Sequence, residues 1–283
     1  MSFREAEDII KDDSKGASEL AIDLADSVLK LPEHELMEYL EKIVKYRYTM
    51  TPLINLCNEI FKSLEKDKSF KTKTKDLKNK FLIGRKRAAE SMGDHLTKKG
   101  HNKVLTFSYS STVIKGIEVV KEVVVLESRP RKEGRITCKK LVKKGKEIEY
   151  WVDAGMCKAM KDVDAVVVGS DSISYEGFLN KLGTRPLAML SNMMNKDFFV
   201  AADTSKILPA KLPLPKKETH PAEEVWKINR SRNIVVNNDY FEITPLKYAN
   251  FVTERGPENY EKIKKLSEKK KVSKKLMELH PLT

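Results

Sequence analysis

Short apolar runs in the middle of the chain constrain its fold more than any other feature. Rich in Val, Ile and Phe, they have the length of sheet strands and lie at residues 104–107, 123–126, 148–152, 163–168 and 198–202. Helical stretches alternate with them, near residues 111–121, 135–144, 155–161 and 181–195. Such alternation is typical of strands joined by right-handed crossovers. The sequence therefore predicts a doubly wound α/β domain with a parallel sheet.

The first hundred residues have a different pattern. Apolar residues recur there at helical spacing, and Gly100 follows the last helical stretch, where glycine suits a left-handed cap. We therefore expect a helical bundle at residues 1–98 and the α/β domain at residues 99–257. Residues 258–283 form a basic C-terminal tail, for which an exposed helix and a mobile segment are both compatible with the many lysines.

Composition limits the class of protein. Hydrophobic residues make up 40% and charged residues 34%, which is typical of soluble globular chains. No apolar run is long enough to cross a bilayer, and the first residues lack the order of a signal peptide. We therefore expect a cytoplasmic protein with no membrane partner. The three cysteines and five histidines share no ligand spacing, and no glycine-rich nucleotide motif follows a strand, so we expect neither metal nor cofactor.

The net charge of +13 is compatible with a nucleic-acid partner. Much of the excess, however, is lysine interleaved with acidic residues, as at residues 65–68 and 258–262, which is equally typical of a solvated surface. We favour the solvated surface over nucleic-acid binding. A sugar phosphate or a nucleotide would also be attracted by a positive field, so charge alone does not identify the anion.

Polar residues follow each predicted strand, at the edge where open α/β sheets bind ligands. Asp171 comes after the fourth run, and a glycine-containing loop then leads to Asn180 and Lys181. Arg129 follows the second run and Lys206 the fifth, so with Lys181 they would suit a small, doubly anionic ligand. Asp171 could instead only cap the turn that follows it.

Small hydroxyl residues follow the first strand, in the segment Ser-Tyr-Ser-Ser-Thr at residues 108–112. This segment leads directly into a helix, whose N-terminal backbone N–H groups can bind phosphate or carboxylate. Ser110 is thus a candidate ligand contact. The hydroxyls could equally serve only as N-caps of that helix.

Several motifs together carry a family resemblance. They are Glu-Ser-Arg-Pro at 127–130 with Gly134, Gly-Ser-Asp-Ser-Ile at 169–173, Gly177, Asn-Lys-Leu-Gly-Thr at 180–184, Ala-Ala-Asp-Thr-Ser-Lys at 201–206, Asp-Tyr-Phe-Glu-Ile-Thr-Pro at 239–245 and Thr-Glu-Arg-Gly at 253–256. In this order they resemble the family that joins the alpha, beta and delta subunits of translation initiation factor 2B to two sugar-phosphate isomerases. Those isomerases act on ribose 1,5-bisphosphate and on 5-methylthioribose 1-phosphate. The resemblance extends from about residue 15 to residue 256.

The resemblance implies an α/β fold with an N-terminal helical domain and a Rossmann-like, parallel-sheet C-terminal domain that dimerises. It implies self-association as a homodimer or a larger homo-oligomer. It also implies a protein partner such as translation initiation factor 2 or a related subunit.

The resemblance also assigns roles to residues. Asp171 would be an acid/base if the chain is active, and the substrate would be held by Asn180, Lys181, Arg129 and Lys206. The segment Arg-Tyr-Thr-Met at 47–50 resembles an Arg-Pro-Thr segment of the isomerases, which makes Arg47 a phosphate contact. A further ligand-binding loop resembles their Arg-Gly-Ala, with lysine in place of arginine: Lys15, Gly16 and Ala17.

One position departs from the isomerases. Their catalytic cysteine lies in a Thr-His-Cys segment, and here that segment is Thr106, Phe107 and Ser108. A serine hydroxyl without a neighbouring base exchanges protons poorly at neutral pH, and a lost acid/base costs about 10²- to 10⁴-fold in rate. We therefore expect a non-catalytic homologue of the initiation factor 2B regulatory subunits that binds a sugar phosphate or a nucleoside monophosphate. The alternative is an active ribose 1,5-bisphosphate isomerase.

Overall fold

The computed structural model describes residues 8–12, 15–214, 220–227 and 233–279. Its N-terminal part is helical, with α1 (Ala17–Lys30), α2 (Glu33–Tyr46), α3 (Thr51–Leu64) and α4 (Phe70–Lys99). The faces on which apolar residues recur are buried against one another. Helix α4 ends at Gly100, whose φ of +71° is the left-handed cap that the sequence predicts.

Helix α4 belongs to both halves of the molecule. Leu77 and Phe81, in its first half, pack in the core of the helical part. Met92 and Leu96, near its end, pack instead against the sheet of the second part. Because one continuous helix contributes to both cores, the two parts are held in a fixed relation.

The remaining helices and the strands follow α4 along the chain. The strands are β1 (Lys103–Phe107), β2 (Glu122–Leu126), β3 (Glu147–Trp151), β4 (Ala165–Val168), β5 (Ser172–Ile173), β6 (Phe178–Lys181), β7 (Asp197–Ala201), β8 (Phe241–Thr244), β9 (Asn250–Thr253) and β10 (Gly256–Glu258). The helices are α5 (Ser111–Gly116), α6 (Gly134–Val142), α7 (Met156–Ala159), α8 (Thr184–Met193), α9 (Tyr260–Lys269) and α10 (Lys274–Leu279).

Among the described residues, seven strands form one sheet in the order β10-β9-β7-β4-β1-β2-β3. All neighbouring pairs are parallel except β9 and β10. Strand β4 lies between β1 and β7, and each of its four residues is buried, which explains its unbroken apolar sequence. The predicted α/β fold, with helices before a mostly parallel sheet, is confirmed.

A second, antiparallel sheet was not predicted. It has the order β5-β6-β8, and it occupies the segment after Asp171 for which we expected a loop. Asn180 and Lys181 pair with Glu242 and Phe241, about sixty residues further along the chain. The two residues are therefore fixed on a strand, which restricts where their side chains can lie.

Buried hydrogen bonds join the helical part to the α/β part. The hydroxyl of Thr51 donates to Ser172 Oγ at 2.6 Å, and Ser172 Oγ donates to the carbonyl of Thr49 at 2.6 Å. The amide of Asn55 donates to the carbonyls of Ser205 and Ile207 at 2.6 and 2.9 Å. These bonds fix the opening between the two parts.

The C-terminal segment returns to the helical part. The side chain of Asn58, on α3, donates to the carbonyl of Lys271 at 2.9 Å and accepts from the backbone N–H of Ser273 at 2.9 Å. Leu276, on α10, is buried in the helical core. Within the ranges that the structure describes, no helix is both long enough and apolar enough to cross a membrane.

Candidate active site

A cleft lies between the start of α1 and the carboxyl ends of β1, β4 and β7. Two adjoining cavities form it, and the larger has a volume of about 250 Å³. Both cavities are lined by Gly16, Ala17, Ser108, Tyr109 and Asp171. The helical part and the α/β part thus contribute to one site.

Asp171 lies in this cleft, three residues beyond the end of β4. Its backbone N–H donates to the carbonyl of Leu179 at 3.0 Å, which ties it to the small sheet. Burial raises the pKa of its carboxyl above the usual value, against the opposing charges of Lys206 and Lys181, and the carboxylate of Glu133 raises it further. A carboxyl that keeps its proton to a higher pH is suited to act as a general acid.

Two lysines flank Asp171, and both are nearly inaccessible to solvent. Lys206 is 7% exposed and its ammonium donates to the carbonyl of Ser170. Lys181 is 2% exposed, and its Nζ lies 2.6 Å from Oε1 of Glu133. Its Nζ is also 4.9 Å from the centre of the Tyr240 ring. The site therefore holds buried positive charge, part of which is neutralised by Glu133.

Ser108 is held rigidly at the end of β1. Its φ is +68°, a region that few residues other than glycine adopt. Its N–H donates to Ser128 Oγ at 2.8 Å, and its carbonyl accepts from Thr137 Oγ1 at 2.9 Å. No residue that the structure describes accepts a hydrogen bond from its hydroxyl. Ser108 thus lines both cavities, and its hydroxyl is not hydrogen bonded to a base among the described residues.

Glu133 is a site residue that the sequence analysis missed. It lines the larger cavity at the start of α6. A Cβ at the next residue, Gly134, would lie 2.0 Å from the carbonyl oxygen of Leu126, so only glycine allows the chain to enter α6 here. Oε2 of Glu133 is buried and has no hydrogen-bond partner within the described part of the chain. The glycine after Glu133 was visible in the sequence, but the pairing with Lys181 was not.

Tyr240 and His220 were also missed, and both line the larger cavity. Their rings stack with centroids 3.4 Å apart and planes within 5°. The guanidinium of Arg131 is 5.7 Å from the Tyr240 ring, and the Tyr240 hydroxyl hydrogen bonds to Glu224 Oε2. An aromatic wall therefore faces the cleft. No local periodicity indicates it, because its members come from irregular segments.

The predicted residues of the helical part do reach the cleft. Lys15 and Arg47 line the larger cavity together with Gly16 and Ala17. Lys15 also forms an ion pair with Asp23 at 2.8 Å. Arg47 is 7% exposed, and its guanidinium donates to the carbonyl of Ile9 at 3.2 Å, among other contacts. The structure brings these residues to the same cleft as Asp171.

Besides Ser108, Asp171 and Lys206, two further predicted residues of the α/β part line the smaller cavity. Asn180 does so while its amide donates to Thr184 Oγ1 at 3.0 Å. Ser110 also lines it, and its hydroxyl accepts from the N–H of Val113 at 3.3 Å. Ser110 is therefore an N-cap of α5, as the alternative interpretation of that segment had it.

Arg129 is not brought into the cleft. Its side chain is exposed and donates to the carbonyl of Val225 at 3.2 Å. Its backbone N–H donates to Asp153 Oδ2 at 2.7 Å, and the N–H of Ser128 donates to Oδ1 at 2.7 Å. Asp153 therefore shapes this loop, and the guanidinium of Arg129 lies away from the cavity lining.

In the described ranges, no cluster of three or more His, Cys, Asp or Glu side chains could hold a metal ion.

The fold and the cleft define an α/β protein with N-terminal helices, a mostly parallel sheet, and a buried acid with buried lysines at the cleft. The chain belongs to the initiation factor 2 subunit family, whose model matches residues 7–259.

Three names occur among its relatives: ribose 1,5-bisphosphate isomerase, translation initiation factor eIF-2B subunit 2-like protein and methylthioribose-1-phosphate isomerase. A ribose 1,5-bisphosphate isomerase of Methanocaldococcus jannaschii is 27% identical over 269 residues, which cover 90% of this chain and 87% of the relative. A translation initiation factor eIF-2B subunit 2-like protein of Pyrococcus horikoshii is 31% identical over 261 residues, which cover 86% of this chain and 90% of the relative. The crystal structure of the Pyrococcus horikoshii translation initiation factor eIF-2B has a TM-score of 0.75 and 25% identity, and the match covers 90% of this chain and 96% of that one.

These relatives correct our expectation of a non-catalytic regulatory subunit. Further archaeal relatives, at 27–34% identity, are also named ribose 1,5-bisphosphate isomerase, so the comparisons favour the alternative. The expectation was wrong because it rested on the missing cysteine at Ser108 alone. The cleft contains a second carboxylate, that of Glu133, which the sequence analysis had not placed there.

Proposed function

We propose that this protein is an isomerase that converts ribose 1,5-bisphosphate to ribulose 1,5-bisphosphate. The observation that carries the proposal is the position of Asp171, which lines both cavities of the cleft beside two buried lysines and has its pKa raised by burial. The relatives named for this reaction, which match across most of both chains, support the same activity. We assign Asp171 the role of general acid.

The other side chains of the cleft bind the substrate. A doubly phosphorylated sugar carries several negative charges, and positive charge comes to the cleft from both domains. Lys206 lies with Asp171 in the smaller cavity, whereas Lys15 and Arg47 lie in the larger one. We assign the two phosphates to these opposite ends and the sugar to the space beside Asp171 and Asn180. The ammonium of Lys181 forms an ion pair with Glu133, so we assign Lys181 the role of positioning that carboxylate.

The test is the rate at which the purified protein forms ribulose 1,5-bisphosphate from ribose 1,5-bisphosphate. Asp171→Asn keeps the shape of the side chain and removes its proton, so the rate should fall by about 10²- to 10⁴-fold. Asp197→Asn is the matched control, because Asp197 pairs with Lys99 and His101 at the opposite end of the sheet. Equal activity of wild type and Asp171→Asn would show that Asp171 is not the acid.

Self-association and a cytoplasmic location complete the proposal. A homodimer or larger homo-oligomer is what the resemblance of the sequence implies. Sedimentation of the full chain tests this directly: a single species with the mass of one chain, 32.4 kDa, at micromolar concentration would contradict it.

A further inference from the structure

We propose that Glu133 is the second catalytic residue of this site, the base that takes the C2 proton of the bound sugar and returns it to C1. The inference rests on the proposed isomerase function. It assigns to this chain's own glutamate the task for which the serine at position 108 is unsuited.

The position of Glu133 is fixed on two sides. Because a Cβ at Gly134 would lie only 2.0 Å from Leu126 O, the glycine lets the start of α6 lie directly against the end of β2. The ion pair from Oε1 to Lys181 Nζ, at 2.6 Å, sets the rotation of the carboxylate. A side chain held by two such restraints loses little freedom when a substrate binds.

The second oxygen of Glu133 has no hydrogen-bond partner among the described residues. Oε2 is buried, and no donor reaches it from the residues that the structure describes. Leaving a buried carboxylate oxygen without a donor is costly, so a ligand group that contacts it gains free energy. The same cavity is lined by Asp171 and Ser108, so a ligand in it is adjacent to both carboxylates.

The two carboxylates have different environments. The carboxylate of Glu133 forms an ion pair with Lys181, and its side chain is 22% exposed. Burial is the largest influence on the pKa of Asp171 and raises it, and the charge of Glu133 raises this pKa further. Two carboxyl groups in different environments that face the same cavity can take the separate roles of base and acid.

The reaction balances with these two groups. Glu133 takes the proton from C2, the freed electron pair forms the C1–C2 double bond, and the bond between C1 and the ring oxygen breaks. Asp171 gives its proton to that ring oxygen. In the second half, Asp171 takes the proton of the C2 hydroxyl as the carbonyl forms, and Glu133 gives its proton to C1. Both residues return to their starting states, and no oxidant or reductant is required.

The test compares Glu133→Gln with Glu127→Gln. The glutamine can still accept a hydrogen bond from Lys181 but cannot take a proton, so kcat should fall by about 10²- to 10⁴-fold with little change in KM. Glu127 is the matched control, because it lies in the same segment and pairs with Arg135 at 3.1 Å outside the cavity lining. Its variant should retain wild-type kcat.

A second variant separates a base from a residue that only positions Lys181. In Glu133→Ala, added formate should restore turnover in proportion to its concentration, because a small carboxylate can occupy the vacated space and take the proton. A role in positioning alone would instead raise KM, and formate would not increase kcat.

The outcomes separate this inference from the proposed function. If the wild type forms ribulose 1,5-bisphosphate and Glu133→Gln retains kcat within about tenfold, short of the loss expected for a base, Glu133 is not the base and the proposed function stands. If kcat falls but formate fails to raise it in Glu133→Ala, Glu133 is only a positioning residue and the inference is wrong. If the wild type does not form the product, both proposals fail.

Discussion

The Nζ atom of Lys181 lies 2.6 Å from Oε1 of Glu133, although the two residues are 48 positions apart and lie on different elements. Lys181 is on β6 of the small sheet, and Glu133 immediately precedes α6, which follows β2 of the large one. The pair therefore joins the two sheets at the cleft. It also decides where the negative charge of Glu133 is held.

Removing one member of this pair should destabilise the protein. Lys181→Met leaves the carboxylate of Glu133 in a low-dielectric site without its partner, at a cost of about 3 kcal/mol in the free energy of unfolding. Urea denaturation measures this cost. Because Glu133→Gln removes the stranded charge, the double variant should be more stable than Lys181→Met alone. Equal stabilities of the single and double variants would show that the two charges are not coupled.

Lys42→Met is the matched control for that experiment. Lys42 forms an ion pair with Glu38 one helical turn away, with the Lys42 side chain 40% exposed. Exposed pairs contribute about 0.2–1 kcal/mol, so this variant should differ from the wild type far less than Lys181→Met does.

The pH dependence of stability should change in Asp171→Asn. The pKa of Asp171 is raised in the folded state, above the usual 3.8, so the folded protein holds a proton that the unfolded chain has lost. The contribution of the Asp171 carboxyl to the free energy of unfolding is therefore fully present below pH 3.8 and declines as pH rises through the folded pKa. Asp171→Asn should gain stability relative to the wild type as pH rises through the folded pKa and hold the gain above it.

Thermal unfolding of the wild type and Asp171→Asn at a series of pH values measures this difference. The difference between the two proteins reports on Asp171 and on the groups that interact with it, because carboxylates far from the cleft are the same in both. A difference that shrinks as pH rises would contradict the raised pKa of Asp171.

Gly134→Ala should destabilise the protein and disturb the cleft. The added Cβ would lie 2.0 Å from Leu126 O, so the start of α6 must move away from β2. Overpacking of this kind costs about 1–3 kcal/mol, measurable by urea denaturation. At Gly16 an added Cβ would meet no atom within 4 Å, so Gly16→Ala should leave stability within about 0.5 kcal/mol of the wild type.

Much of the large sheet could be predicted from the sequence, because a strand buried on both faces must be apolar along its whole length. Strand β4 shows this, since its run of Ala and Val has no polar residue until the carboxyl edge. The position of Asp171 at that edge follows from the same rule. The left-handed cap at Gly100 was equally local and was predicted correctly.

The features that depend on distant pairing could not be predicted. Strand β6 is only four residues long and is ordered by β8, which lies about sixty residues further along the chain. The position of Arg129 after β2 predicted a ligand contact. In the structure its backbone N–H donates to Asp153, and its guanidinium donates to the carbonyl of Val225. Glu133 faces the cleft only because Gly134 packs against Leu126 and Lys181 holds the carboxylate. Each of these depends on contacts between segments, which periodicity does not encode.

The most direct test of the proposed isomerase activity is a proton NMR time course of ribose 1,5-bisphosphate with the purified wild-type protein. An active isomerase should cause loss of the C2 proton signal of the sugar and growth of the C1 methylene signals of ribulose 1,5-bisphosphate, at rates that depend on Asp171. An unchanged spectrum, under conditions in which binding of the substrate is shown by calorimetry, would contradict the proposed activity.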